Sequence, residues 1–234
     1  MRINQVSIDG YKSLNDFNVS FSTEKVVIIG QNASGKSNFL EAIVIIFRNL
    51  DLNADPEFSF TIHYTINGKD ILIKGFPQGS QRNRYAFWEI SKNEAVLFDD
   101  KEVQIHDIFK SDSDKGNLTY AAFKKNKNDY LPKHVFVYYS GLGNSNRLEE
   151  ILQKLDYSFA KTLLDAEGYT KPEDRRFFYV RLHHSHFVLL SFYALTLDND
   201  IEAFLKENLK IENLETILFI LKQPFWKTTK DGNQ

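Results

Sequence analysis

The sequence predicts an α/β fold with three parts: a strand–glycine loop–helix unit near the N-terminus, an antiparallel β-subdomain after it, and a mainly helical C-terminal half. Three observations lead there. Val26–Ile29 is continuously apolar and runs into Gly30-Gln31-Asn32-Ala33-Ser34-Gly35-Lys36-Ser37, which matches G-x-x-x-x-G-K-S without a mismatch. Between residues 58 and 98 apolar residues alternate with polar ones around Asn67-Gly68, the pattern of hairpins and not of strands alternating with helices. After residue 145, Leu148, Ile151, Leu152, Leu155 and Phe159 fall at helical spacing.

The first observation carries chemistry. Gly30 and Gly35 let the backbone turn sharply and approach a ligand without a Cβ in the way. Successive N–H groups from about Asn32 to Ser37 then point at the oxygens of a polyphosphate. The helix opening near Lys36 adds the positive end of its dipole at the same place. Lys36 reaches the β- and γ-phosphates as a point charge, and the Ser37 hydroxyl ligates Mg²⁺. A plain glycine turn is disfavoured because both flanks match as well as the loop.

Composition bounds the rest. The 234 residues suit one large α/β domain or two small ones, and the 42% hydrophobic content supports a sizeable core. We expect a single domain over 1–234: strands, loop and first helix in 1–50, a β-rich subdomain and loops in 51–133, a strand plus helical region in 134–226, and a polar tail in 227–234. A net charge of −2 gives no global basic field for nucleic acid. The absence of cysteine excludes disulfides, Fe–S clusters and thiolate zinc sites, and fits a reducing compartment. The polar, alternating N-terminus is unlike a signal peptide. The longest apolar run, Ala42–Phe47, is far below the ~20 residues of a membrane span. The expectation is a cytoplasmic protein without membrane contact.

In chain order, Ile3, Val6 and Ile8 form a first strand before the turn signal Asp9-Gly10, and Phe17, Val19 and Phe21 alternate as a half-buried second. Val26–Ile29, apolar at every position, should be a central strand covered on both faces. The loop helix should run from about Gly35 to Leu50 with nearly all faces buried. Phe58–Ile66 and Ile71–Ile73 form a hairpin around Asn67-Gly68, and Tyr85–Ile90 should pair with Ala95–Phe98. Residues 111–117 and 124–130 are polar loops flanking a short element at Leu118–Phe123. The run Lys124-Lys125-Asn126-Lys127 is better read as solvated than as a phosphate contact. His134–Tyr139 is a buried strand leading into the loop Ser140–Asn146. A helix with Thr170 as N-cap should run through Phe177–Leu195, and another, capped by Asp198 or Asn199, should end near Leu209. The last apolar stretch is Ile217–Leu221.

Other candidate sites are weaker. A second acidic motif, an apolar strand ending in an Asp that supports Mg²⁺, is matched only loosely by Val96-Leu97-Phe98-Asp99-Asp100 and Leu195-Thr196-Leu197-Asp198. His183, His184 and His186 lie close in sequence, but no neighbouring Asp, Glu or Cys completes a metal set. Arg175, Arg176 and Arg181 read as solvated or ion-paired with Glu173 and Asp174 ahead of a basic helix face.

The N-terminal 47 residues also carry a resemblance. Tyr11-Lys12-Ser13 after the first strand, then Gly30-Gln31-Asn32-Ala33-Ser34-Gly35-Lys36-Ser37-Asn38-Phe39-Leu40-Glu41-Ala42-Ile43, resembles the start of ABC-type ATPases of the SMC/RecF/OLD branch, AAA-family P-loop NTPases. Tyr138–Asn144 and Leu218–Trp226 are similar to segments of bacterial ATPases of restriction and antiphage defence systems. The resemblance implies an ABC-type P-loop NTPase core in which Gly30, Gln31, Asn32, Ala33, Ser34, Gly35, Lys36, Ser37 and Asn38 hold ATP, with Mg²⁺ on Ser37. It implies that Lys12 and Ser13 lie near the base or sugar. It places the γ-phosphate-sensing loop after residue 139, where the family's glutamine is missing and Ser140 or Asn144 stands instead. The second acidic motif and the switch histidine are not found, so the chain reads as the N-terminal part of a larger ATPase. Complete, that ATPase would dimerise on ATP and act on DNA or with a nuclease; alone, the chain would bind ATP but hydrolyse it poorly. The alternative is a nucleotide-gated protein-binding module without hydrolysis.

Overall fold

The computed structural model describes residues 1–77, 84–90, 96–98, 101–103, 108–109, 115–138, 148, 150–152, 175–180, 184–194, 199–213 and 215–218, with backbone alone at 96–98 and 101–103. The chain forms two units, Met1–Val180 and Arg181–Gln234.

The first unit is built on alternation. In β3 (Ser59–Ile66) every second side chain is buried, so one face of the strand is apolar and the other polar. β1 (Arg2–Asp9) pairs antiparallel with β2 (Phe17–Ser20) and, on its other edge, with β3. Asn67 and Gly68 both hold positive φ, 51° and 79°, which suits the tight turn joining β3 to β4 (Lys69–Gly75). β5 (Tyr85–Ile90) completes a sheet of order β2-β1-β3-β4-β5. The expected pairing of 85–90 with 95–98 is overturned: β5 pairs with β4, and β6 (Val96–Phe98) pairs with β7 (Lys101–Val103). Only residues 91–94 separate the two segments, but β5 pairs with β4 along its whole length, from Asp70↔Ile90 to Gly75↔Tyr85.

Helix α1 (Lys36–Leu52) packs on the apolar face of this sheet. Phe39, Ala42, Val44, Ile45, Ile46, Phe47 and Leu50 join Val6, Ile8, Ile62, Tyr64, Ile71 and Ile73 in one core, with Phe47 edge-on to Tyr64 at 5.5 Å between ring centroids. Asn53 closes the helix in the left-handed conformation, its N–H donating to the Asn49 carbonyl. The expected short element near 118–123 is helical, α2 (Tyr120–Lys125), and is capped by Thr119, whose side chain accepts from the Ala122 N–H. α3 (Lys127–Tyr130) follows. Lys127 donates to the Asp51 carbonyl, so it serves packing and not phosphate.

β8 (Val135–Tyr138) pairs in parallel with β9 (Phe177–Val180). The buried strand expected at 134–139 is half-buried instead: Val137 faces the core while Phe136 and Tyr138 are exposed. Phe177–Val180 is a strand, not the start of a helix, which corrects the helix expected through Phe177–Leu195. Its β-branched and aromatic residues fit a ladder with β8 better than a helical turn. Arg176 anchors the pair to α1, donating to Asp51 at 3.0 Å, Asn128 at 2.8 Å and the Pro132 carbonyl. Arg175 lies instead over the Phe178 ring. Leu148, Ile151 and Leu152 are buried in the same core. The helix start at Thr170, the loop 140–146 and Arg181 lie outside the described residues.

The second unit contains α4 (His184–Ala194) and α5 (Asn199–Asn208). α5 begins at Asn199 and ends at Asn208, near the expected end at Leu209; Asp198, the other capping candidate, lies outside the described residues. Ile217 and Leu218 are exposed. Among the described residues no helix is long and apolar enough to cross a membrane.

The largest departure lies before the glycine loop. Val26–Ile29 joins no sheet among the described residues. Its exposures alternate, 45%, 83%, 38% and 89%. Val26 and Ile28 line an apolar groove of about 820 Å³ with Phe39, Ile43 and Val135. A stretch apolar on both faces is stable as a strand only when neighbours pair with it and both faces are covered; among the described residues no strand pairs with it, and Val27 and Ile29 are uncovered.

Candidate functional site

The site sits where the β1–β2 turn meets the start of α1. Gly35, at φ 90° and ψ 3°, is the residue immediately before the helix. That left-handed conformation is accessible to glycine at no steric cost. Ala33 is also left-handed, at φ 64°, and the Ser34 N–H donates to the Gln31 carbonyl at 3.3 Å, closing a turn within the loop. The first helical bond is Phe39 N–H to the Gly35 carbonyl at 2.9 Å. The N–H groups of Lys36, Ser37 and Asn38 therefore have no acceptor within the helix, and the positive end of its dipole opens at the same place.

Lys36 folds back over the loop. Its ammonium donates to the carbonyl oxygens of Gly30 at 2.7 Å and Gln31 at 2.5 Å, and lies 3.3 Å from Ser34 Oγ. A Cβ on Gly30 would stand 2.8 Å from Ser34 Oγ, and one on Gly35 would stand 3.0 Å from Ser13 Oγ. The loop is thus a close-fitting cradle, with glycine demanded by the backbone at Gly35 and a close side-chain approach at Gly30. It fits a polyphosphate: one lysine, three free-facing N–H groups, a helix N-terminus and an exposed Ser37 hydroxyl.

The turn before β2 closes on this cradle. Tyr11 and Leu14 exchange backbone bonds of 3.2 and 2.8 Å, presenting Lys12 and Ser13 at its tip, with Lys12 left-handed at φ 51°. Asn38 donates to Ser13 Oγ at 2.8 Å and accepts from Lys12 at 3.4 Å. Lys12 pairs with Glu41, which also accepts from the Tyr11 hydroxyl at 3.1 Å. The residues singled out in sequence, Lys12 and Gly30–Asn38, are therefore neighbours in space. Glu41 and Tyr11 were quoted only within the resembling motif and given no role; the available signal was Glu41's position three and four residues after Asn38 and Ser37, on the same helix face.

Backbone 96–98 lies in the β6–β7 hairpin, while Asp99, Asp100 and Leu195–Asp198 lie outside the described residues. His184 and His186 are on α4, His183 lies outside the described residues, and among the described residues no cluster of His, Cys, Asp or Glu can hold a metal.

Comparison with known proteins bears on the family. The chain is 41% identical over 46 residues to the DNA replication and repair protein RecF of Bacillus cytotoxicus (strain DSM 22905 / CIP 110041 / 391-98 / NVH 391-98), a match over 20% of this chain and 12% of that protein's length. The family model described as AAA ATPase domain matches residues 1–230. The mixed α/β fold with its antiparallel sheet fits a P-loop NTPase, and the chain belongs to the AAA ATPase domain family.

Proposed function

We propose that this chain is the ATP-binding part of an ABC-type ATPase of the SMC/RecF-like branch. The single observation that carries the reading is the convergence of Lys36, the first N–H groups of α1 and the Gly30–Gly35 cradle at one point. Gly30 to Asn38 hold the triphosphate, Lys36 contacts its terminal phosphates, and Ser37 supplies a hydroxyl to Mg²⁺. The ion, when bound, neutralises phosphate oxygens. Lys12 stands by the sugar or base.

Hydrolysis needs an acidic motif and a water-activating group, and the described residues of the site supply neither. The Val26–Ile29 stretch beside the loop is consistent with this reading, since its two-sided apolar pattern calls for neighbours that the described residues do not supply. The whole ATPase would work in the cytoplasm as an ATP-dependent homodimer on a DNA- or nuclease-linked task, of a restriction or antiphage kind. The similarity to a protein named for DNA replication and repair supports the DNA part.

Calorimetric titration with ATP-γ-S tests the binding. With Mg²⁺ we expect a Kd on the order of 0.1 mM, about −5.5 kcal/mol, weaker without the ion and lost in Lys36→Ala. No heat at millimolar ligand would refute the reading. A second reading, a nucleotide-gated protein-binding module without hydrolysis, is favoured by one observation. Glu41, the buried carboxylate among the described residues, is engaged by Lys12 and Tyr11 and so is not poised to activate water. Steady ATP turnover abolished by Lys36→Ala would rule that module out.

A further inference from the structure

Glu41 is 7% exposed on α1, one turn beyond Ser37. A buried carboxylate is costly unless it is paired, and this one is paired with the β1–β2 turn. The Tyr11 hydroxyl donates to its Oε2 at 3.1 Å, and the Lys12 ammonium pairs with the same oxygen. Both donors come from the β1–β2 turn. From Lys12 the contacts continue toward the loop: Lys12 to Asn38 Oδ1 at 3.4 Å, Asn38 to Ser13 Oγ at 2.8 Å, and Ser13 Oγ against the bare Cα of Gly35.

The electrostatics favour a carboxylate beside Lys12. Lys12 brings a cation beside Asn38, in the first turn of α1, where the helix dipole favours anions and disfavours cations. Lys12 also holds a left-handed backbone, φ 51°, that a non-glycine residue adopts only when its surroundings fix it. Without a carboxylate at this point, both the dipole and the backbone favour withdrawal of the turn from the helix.

We infer that Glu41 is a positioning residue for the phosphate loop: it holds Lys12 against α1, and through Lys12, Asn38 and Ser13 it fixes the Gly35 end of the cradle. This rests on the nucleotide-binding reading for its consequence in affinity, though not for its consequence in the empty protein. Glu41 and Lys12 would act as one unit, with Lys12 docked at the positive end of the helix so that the two together set the field an incoming anion meets.

The test uses Glu41→Gln, Lys12→Met and the double variant in the full chain, with two readouts. Amide hydrogen exchange in the nucleotide-free protein comes first. The amides of Leu14 and Phe39, which donate to the Tyr11 and Gly35 carbonyls, should exchange at least about fivefold faster in Glu41→Gln, as local opening becomes easier. Ile62, in the middle of the sheet, should not change. Lys12 is partly exposed, so Lys12→Met cuts the same link without disturbing the core and should give the same pattern if Glu41→Gln folds poorly. Unchanged exchange at Leu14 and Phe39 in either folded variant overturns the proposal. The second readout is Mg·ATP-γ-S affinity. Glu41→Gln should weaken it about tenfold, and the same substitution in the Lys12→Met background should change it less than about twofold, since coupled residues are non-additive. Additive losses overturn the proposal. If the wild-type chain binds no nucleotide while the exchange pattern appears, the nucleotide reading falls and the positioning role stands.

Discussion

The ammonium of Lys36 lies 2.7 Å from the carbonyl oxygen of Gly30, six residues earlier in the chain, and 2.5 Å from that of Gln31. The two ends of the loop are therefore latched by the charge that would meet a phosphate. An entering anion must draw that ammonium from two carbonyls to its own oxygens, an exchange of neutral acceptors for charged ones. Lys36→Met should leave the chain folded, because the residue is on the surface of the loop. It should weaken Mg·ATP-γ-S binding by at least about 30-fold, roughly 2 kcal/mol. Calorimetry with a thermal melt of the same sample separates the two effects.

Gly35→Ala should cost more stability than an ordinary surface change. Its φ of 90° is a conformation that L side chains rarely adopt, and the new methyl would stand 3.0 Å from Ser13 Oγ. We expect a loss of about 1–2 kcal/mol in urea denaturation, together with weaker nucleotide binding. Gly10→Ala is the control: φ there is 78° but nothing lies within 4 Å, so it should carry the backbone cost alone and leave binding intact.

Val27→Thr and Ile29→Thr should be close to silent in this chain. Both side chains are more than four-fifths exposed, so each should change the unfolding free energy by no more than about 0.5 kcal/mol. A covered central strand would instead lose on the order of 2 kcal/mol or more per site. Urea midpoints of the two variants decide between these outcomes.

Arg176→Met should be severely destabilising. The guanidinium is buried and answers Asp51, Asn128 and the Pro132 carbonyl. Removing it leaves those acceptors unpaired, at a cost of roughly 3–5 kcal/mol. The parallel β8–β9 pair should loosen first, visible as faster exchange at Val135, whose N–H donates to the Arg176 carbonyl.

Acid should destabilise the sheet through His63. Burial lowers its pKa below the ordinary 6.5, outweighing Asp70, which lies 3.5 Å away and pulls it upward. The folded protein thus resists a proton that the unfolded chain accepts. Stability from this group is complete above 6.5 and declines as pH falls from 6.5 toward the lowered folded value. His63→Gln should flatten the stability profile across that window, measured as urea midpoints at successive pH values.

The sequence by itself determined the parts whose signals are local. Gly30–Ser37 follows from residue types at fixed spacing, α1 from its apolar faces and the β3–β4 hairpin from alternation around Asn67-Gly68. These hold in the structure because each is decided within a few residues by backbone sterics and periodicity. Only the tertiary structure decided what depends on partners distant in sequence. Tyr85–Ile90 pairs with β4 along its whole length, although a nearer segment was available. Phe177–Val180 became a strand because β8 lay beside it, although the chain around it reads as helix. Val26–Ile29 shows the converse. Its composition specifies a strand covered on both faces, yet a strand exists only where a neighbour supplies hydrogen bonds and cover, and among the described residues none does. The same division runs through the site. The cradle was legible as a motif, whereas the link from Glu41 through Lys12 and Asn38 to Ser13 joins residues up to 29 positions apart and became visible only when the turn and the helix were placed together.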